Sequence, residues 1–192
     1  LANARGTPRA SAESRGVCAS DSTPATVKAA TIRDMDAGHG SSESTHHVSD
    51  ADHSTLSMSL LMTPDMANFT GNVHGGTLLK LLDEVAYACA SRYSRRYAVT
   101  LSVDRVIFRE PIRVGELLIL SASINYTGRT SMEVGIRVET ENIHTGIRRH
   151  TNSCYFTMVS MGDDGRPHEV PPLTPETDDQ KRRFAEAELR RA

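Results

Sequence analysis

One stretch, Asn68 to Glu84 (NFTGNVHGGTLLKLLDE), brings an asparagine, two adjacent glycines and an aspartate to the mouth and first turns of one apolar helical pattern. The first N–H groups of a helix have no intrahelical partner. Two residues without side chains, Gly75 and Gly76, let a carbonyl oxygen or an anion come close to them. Asp83 follows two turns further on among Leu79, Leu81, Leu82, Val85 and Ala86, where burying a charge is costly unless it is used. Such groups could polarise an electrophile and supply a carboxylate as general base or nucleophile. A plainer reading fits the same residues: Asn68 caps a turn, the glycines satisfy backbone angles, and Asp83 pairs with Lys80 or Arg92 on the helix surface. Glu84, one residue round the helix, reads as solvated.

Elements must hold these groups in place, and the composition says how many to expect. A chain of 192 residues with 38% hydrophobic and 24% charged content suits one domain with extensions. The formal net charge of -2 gives no nucleic-acid footprint, and the lack of tryptophan argues against a stacking platform for single strands. No run of eighteen apolar residues spans a membrane. Cys18, Cys89 and Cys154 are far apart, without ligand spacing, which points to a reducing, cytoplasmic setting and to no metal.

Residues 1–54 are rich in Ala, Ser, Thr, Gly, Asp and His and read as a disordered tail, with His39, His46, His47 and His53 a solvated, incidental cluster. A main domain is expected over 55–162. Its first strand is Thr55–Met62, and its helix runs from Thr77 to about Tyr93, with Leu78, Leu82, Val85 and Cys89 on one stripe. Strands are expected at Tyr97–Phe108, Glu116–Tyr126, Ser131–Glu141 and Ile147–Met161, joined by turn-forming segments as an antiparallel meander. Residues 163–192 read as a loop followed by a C-terminal surface helix, acidic first and basic last. The class is therefore α+β, one long helix against a sheet of about five strands.

Four segments in this order resemble the hotdog-fold acyl-CoA thioesterases, the cytosolic long-chain (brain-type) hydrolases and their single-domain bacterial relatives. They are PDMANFTGNVHGGTLLKLLDEVA (Pro64–Ala86), VTLSVDRVIFREPIRVGELL (Val99–Leu118), INYTGRTSMEV (Ile124–Val134) and VPPLTPETDDQKRRF (Val170–Phe184). The resemblance implies a fatty acyl-CoA thioesterase, a hydrolase without cofactor, since coenzyme A is part of the substrate. It places Asn68 and Asp83 in one site contributed by opposite subunits, with Gly76 as backbone donor and Gly75 beside it. Asp83 would be general base or nucleophile, and Asn68 would orient the water or the carbonyl. It further implies a homodimer, with trimers of dimers common.

For coenzyme A, the turn Gly128-Arg129-Thr130-Ser131 offers a guanidinium and two hydroxyls suited to phosphate, though a solvated turn explains it equally well. Arg92, Arg95 and Arg96 are further phosphate candidates. By resemblance, the pantetheine arm passes the strand around Thr100 to Val103, with Ser102 as a contact. His74 is a tempting base, but the resemblance gives it no such role, and it reads as a loop-packing residue. Two alternatives remain: a non-catalytic acyl-CoA-binding regulator, and a hotdog enoyl-CoA hydratase that would need a histidine for proton transfer.

Overall fold

The computed structural model describes residues 53–104, 106–108 and 110–191, all within one compact unit. The tail, with His39, His46 and His47, lies outside the described residues apart from His53 and Ser54. His53 is not solvated: it is buried, the Arg92 Nε donates to its Nδ1 at 3.2 Å, and the Arg95 guanidinium meets its other ring nitrogen. Two of the three candidate phosphate arginines are thereby committed to packing the start of the domain.

Five strands form one sheet: β1 (Thr55–Leu61), β2 (Ala98–Asp104), β3 (Glu116–Thr127), β4 (Ser131–Asn142) and β5 (Arg148–Ser160). Their order is β1-β3-β4-β5-β2, every neighbouring pair antiparallel, so β1 and β2 are the edges. The helix α1 (Gly75–Ser94) lies against one face. The expected stripe holds: Leu78, Leu82, Val85 and Cys89 are all buried, against Leu118 and Leu120 of β3, Val134 and Ile136 of β4, and Phe156 and Met158 of β5. Each large side chain so buried contributes about 1.5–3 kcal/mol. The observed helix is longer than expected because it starts on the two glycines, with His74 as its N-cap. Strand β2 stops at Asp104, short of the expected Phe108. This is the hotdog arrangement expected from the sequence.

The second helix, α2 (Asp178–Arg191), covers part of the opposite face. The fork of Arg190 grips Glu133 at 2.6 and 3.1 Å, Asn125 Nδ2 donates to the same carboxylate at 3.2 Å, and the guanidinium stacks 3.6 Å from the Tyr155 ring centre. Gly135 leaves the room, since a Cβ there would collide with the Asn125 amide. Of the two expected apolar contacts of this helix, Phe184 packs on Tyr126 at 5.0 Å, whereas Leu189 is 80% exposed and Ala187 is buried instead. The Glu133 side chain is 4% exposed, so removing its partner leaves a desolvated carboxylate. Arg190→Ala is expected to cost about 3 kcal/mol, read by chemical denaturation, and to release protection from hydrogen exchange across α2.

Candidate active site

The loop before α1 is built around Asn68. Its Oδ1 accepts the Thr70 N–H at 2.9 Å, the Thr70 hydroxyl at 2.7 Å and the Asn72 N–H at 3.2 Å. Its N–H donates to the Asn72 carbonyl at 2.6 Å, and Gly71, at φ 80, closes the turn onto the Asn68 carbonyl. Two of the three donors are backbone N–H groups, which require an oxygen at Oδ1; the amide orientation is therefore fixed and Nδ2 is the atom left to act. The turn-capping reading of Asn68 holds, and it leaves Nδ2 uncommitted. The cavity that Asn68 lines has a volume of about 210 Å³; Gly75, Leu78, Phe108, Ile112 and Asn152 are among its other walls.

Gly76 does not present an open donor. Its N–H is held at 2.9 Å by the Nδ1 of His74, whose ring caps the helix. This corrects the expectation for the helix mouth: the N-cap side chain takes up the donor that the missing intrahelical partner leaves over. Gly75, one residue earlier, lines the cavity.

Asp83 also departs from expectation. It is exposed in the protomer rather than buried, and it pairs with neither Lys80, which meets Glu84 at 3.6 Å, nor Arg92. Its Oδ1 accepts the Thr100 hydroxyl of β2 at 2.6 Å. Leu79, Asp83 and Tyr87 form a stripe at four-residue spacing that looks out past the β2 edge. Leu79 and Tyr87 are 42% and 41% exposed. A bulge at Leu101 interrupts β2, and Ser102, singled out from the sequence, is exposed beyond it without lining the cavity.

Asn68 and Asp83 therefore belong to different ends of the protomer. Thr100, Met158 and Met132 form one row across β2, β5 and β4, and the Arg129–Ser131 turn follows the next row. Asn68 instead shares its cavity with Asn152, six residues along β5 from Met158, about 20 Å away at strand rise. In the turn, Thr130 and Arg129 use their carbonyls to accept the Ser160 and Val170 N–H groups, and the Arg129 side chain is exposed. Thr100 and Asn152 are the residues the sequence did not single out for chemistry. For Thr100 no local signal existed, because its partner lies 17 residues away. Asn152 could have been found: it is the polar member of the inward series Asn152, Cys154, Phe156, Met158.

The two described cysteines take no part. Burial pushes the thiols of Cys89 and Cys154 up to about 12, so neither is a thiolate near neutrality. Among the described residues no group of three or more His, Cys, Asp or Glu is placed to hold a metal ion, and no helix is long and apolar enough to cross a membrane.

A long helix wrapped by a five-stranded antiparallel sheet, with a polar loop and cavity at the helix mouth, defines a hotdog-fold protein. The matching family model is the thioesterase superfamily, over residues 70–147. The chain is 51% identical over 147 residues to Protein VdlD of Helicobacter pylori, covering 75% of this chain and 84% of that one. An apo hexameric acyl-CoA thioesterase superposes with a TM-score of 0.71 at 36% identity, covering 73% of this chain and 90% of that one. The acyl-CoA hydrolase of Staphylococcus aureus, in complex with butyryl coenzyme A and coenzyme A, does so at 0.68 with 30% identity, covering 72% and 85%. The chain belongs to the thioesterase superfamily.

Proposed function

We propose that the protein hydrolyses fatty acyl-CoA thioesters to the free acid and coenzyme A, at sites completed by two copies of the chain. The observation that carries this reading is the division of the chemistry. A donor amide and a cavity lie at one end of the protomer, and a carboxylate oriented by Thr100 lies at the other. Strand β2 is an open sheet edge bordered by exposed Leu79, Tyr87, Tyr97, Leu101 and Val103. Exposed edges carry unpaired backbone groups, and apolar side chains around one favour a covered state. Antiparallel pairing of two β2 strands reverses their direction and brings the Asn68 end of one copy towards the Asp83 end of the other. It also covers the stripe around Asp83, so the buried acid expected from the sequence belongs to the dimer.

In the site so formed, the Asn68 Nδ2 donates to the thioester carbonyl and stabilises the oxyanion of the tetrahedral intermediate. Asp83, held by Thr100, takes a proton from the attacking water as the coenzyme A thiolate leaves, or attacks the carbonyl itself, expelling the thiolate to form a mixed anhydride that water then hydrolyses to the free acid and the carboxylate. Structures of the Staphylococcus aureus hydrolase include separate alanine variants at an asparagine, an aspartate and a threonine. Those three positions are separated by 15 and 17 residues, and the same steps separate Asn68, Asp83 and Thr100. Arg129 with Thr130 and Ser131 remains the proposed phosphate contact, one row from the Thr100 end. Ser102 remains a proposed contact on the pantetheine path, next to the bulge. The hydratase alternative would have to use the Nε2 of His74, since its Nδ1 accepts the Gly76 N–H.

The test is release of free thiol from a panel of acyl-CoA esters of increasing chain length, with oligomer size followed in parallel. Turnover confined to dimers or larger assemblies is expected. Tight coenzyme A ester binding without thiol release would instead favour the regulator, and an active monomer would refute the shared site.

A further inference from the structure

The geometry points to Asn152 as a second donor to the reacting carbonyl, an inference that rests on the thioesterase reading above. Strand β5 carries a bulge at Thr151, where the register against β4 shifts between Val138 and Glu139. The extra residue leaves both Thr151 and Asn152 buried at 2% exposure. Thr151 is satisfied, since its hydroxyl donates to the Val138 carbonyl at 3.1 Å; it also stands 3.4 Å from the Asn152 Oδ1. The Asn152 Nδ2, in contrast, is buried without a hydrogen-bond partner among the described residues. A buried amide donor left unpaired costs about as much as a lost hydrogen bond, so its retention among Cys154, Phe156 and Met158 calls for an acceptor that is present only part of the time.

The cavity it lines identifies that acceptor. Asn152 lines the same cavity as Asn68 and Gly75, from the sheet where Asn68 lines it from the loop. Asn68 offers only Nδ2 there, because its oxygen is committed to Thr70 and Asn72. The one carboxylate among the described residues of the cavity wall, Glu110, is held by Arg149 at 2.7 Å. Donors at the positive end of a helix select a carbonyl or oxyanion oxygen; the Gly76 N–H is held by His74, and Asn152 offers a further donor from the sheet. In hydrolysis the carbonyl oxygen gains negative charge as water adds to carbon, and loses it as the carbon–sulfur bond breaks. Asn152 stabilises that charge and transfers no proton.

The experiment uses the full chain and butyryl-CoA. Asn152→Leu keeps the volume and removes the donor. The expected result is a fall in kcat on the order of 10²-fold, with product inhibition by coenzyme A unchanged and a melting temperature equal to or above wild type. Asn152→Asp, which presents an acceptor, is expected to be as slow, and Asn152→Ser to recover part of the rate. As a readout independent of turnover, the infrared stretch of a 13C-labelled butyryl carbonyl bound to the Asp83→Ala protein should move back towards its solution frequency when Asn152→Ser is added. This readout also serves if Asn152→Leu fails to fold. A kcat within twofold of wild type for Asn152→Leu, full activity of Asn152→Asp, or an unmoved carbonyl stretch would overturn the inference while leaving the thioesterase reading intact. Absence of thiol release by the wild-type protein would instead remove the reading on which it rests.

Discussion

Asp83→Ala protein is expected to fold, to assemble and to bind coenzyme A, yet to release thiol from acyl-CoA about 10²–10⁴-fold more slowly than wild type. Exposed Asp83 makes no ion pair among the described residues, and the substitution removes a hydrogen bond to Thr100 at the sheet edge, so little stability is at stake. The effect should therefore appear in kcat with an unchanged melting temperature. Asp83→Asn should be as slow, because an amide can accept from Thr100 but cannot take a proton or act as a nucleophile. Thr100→Val should fall between these and wild type, since the carboxylate survives but loses its orienting hydroxyl. Equal activity of Asp83→Ala and wild type in a thiol-release assay would end the assignment of the carboxylate.

The second large effect concerns Asn68. Removing one oxyanion donor costs on the order of 10²–10³ in kcat, and Asn68→Ala should show a loss of that size. It also deletes the acceptor that organises Thr70 and Asn72, so Asn68→Asp is the more informative change: it keeps the oxygen for those donors and replaces the Nδ2 donor with a charged acceptor. The shared site gives this prediction a sharper form. Mixing and reassembling Asn68→Ala with Asp83→Ala protomers, each inactive alone, makes half of the dimers mixed, and each mixed dimer contains one intact site of two. Activity should return to about a quarter of the wild-type value, as two-fold symmetry requires. No recovery from a verified mixed dimer would mean that Asn68 and Asp83 serve the same chain's site.

Much of the fold was legible because its signals are local. The stripe Leu78, Leu82, Val85 and Cys89 announces a helix with one buried face, and all four side chains are buried. The meander was readable from turn residues between β-rich segments, and its four strands begin within one residue of the expected starts. Strand β2 ended early because Tyr97–Phe108 looks uniform in composition, whereas its pairing with β5 stops at Asp104. The α2 contacts were half legible: Phe184 follows from its apolar type, but the buried Arg190–Glu133 pair joins residues 57 positions apart.

By itself the sequence determined the element order, the helix stripe, the polar loop at its mouth and the motif carrying Asn68 and Asp83. These depend on periodicity and residue type over a few neighbours. Only the tertiary structure decided which polar atoms are spent and which are open. The His74 ring takes up the Gly76 donor, backbone N–H groups fix the Asn68 amide, and Asp83 turns to Thr100 at the sheet edge. Asn152, which lines the cavity of Asn68, is left with a buried donor that has no partner among the described residues. Hydrogen bonding is short-ranged and directional, so these outcomes depend on tenths of an ångström and on strand register, neither of which is written in the order of residues along the chain.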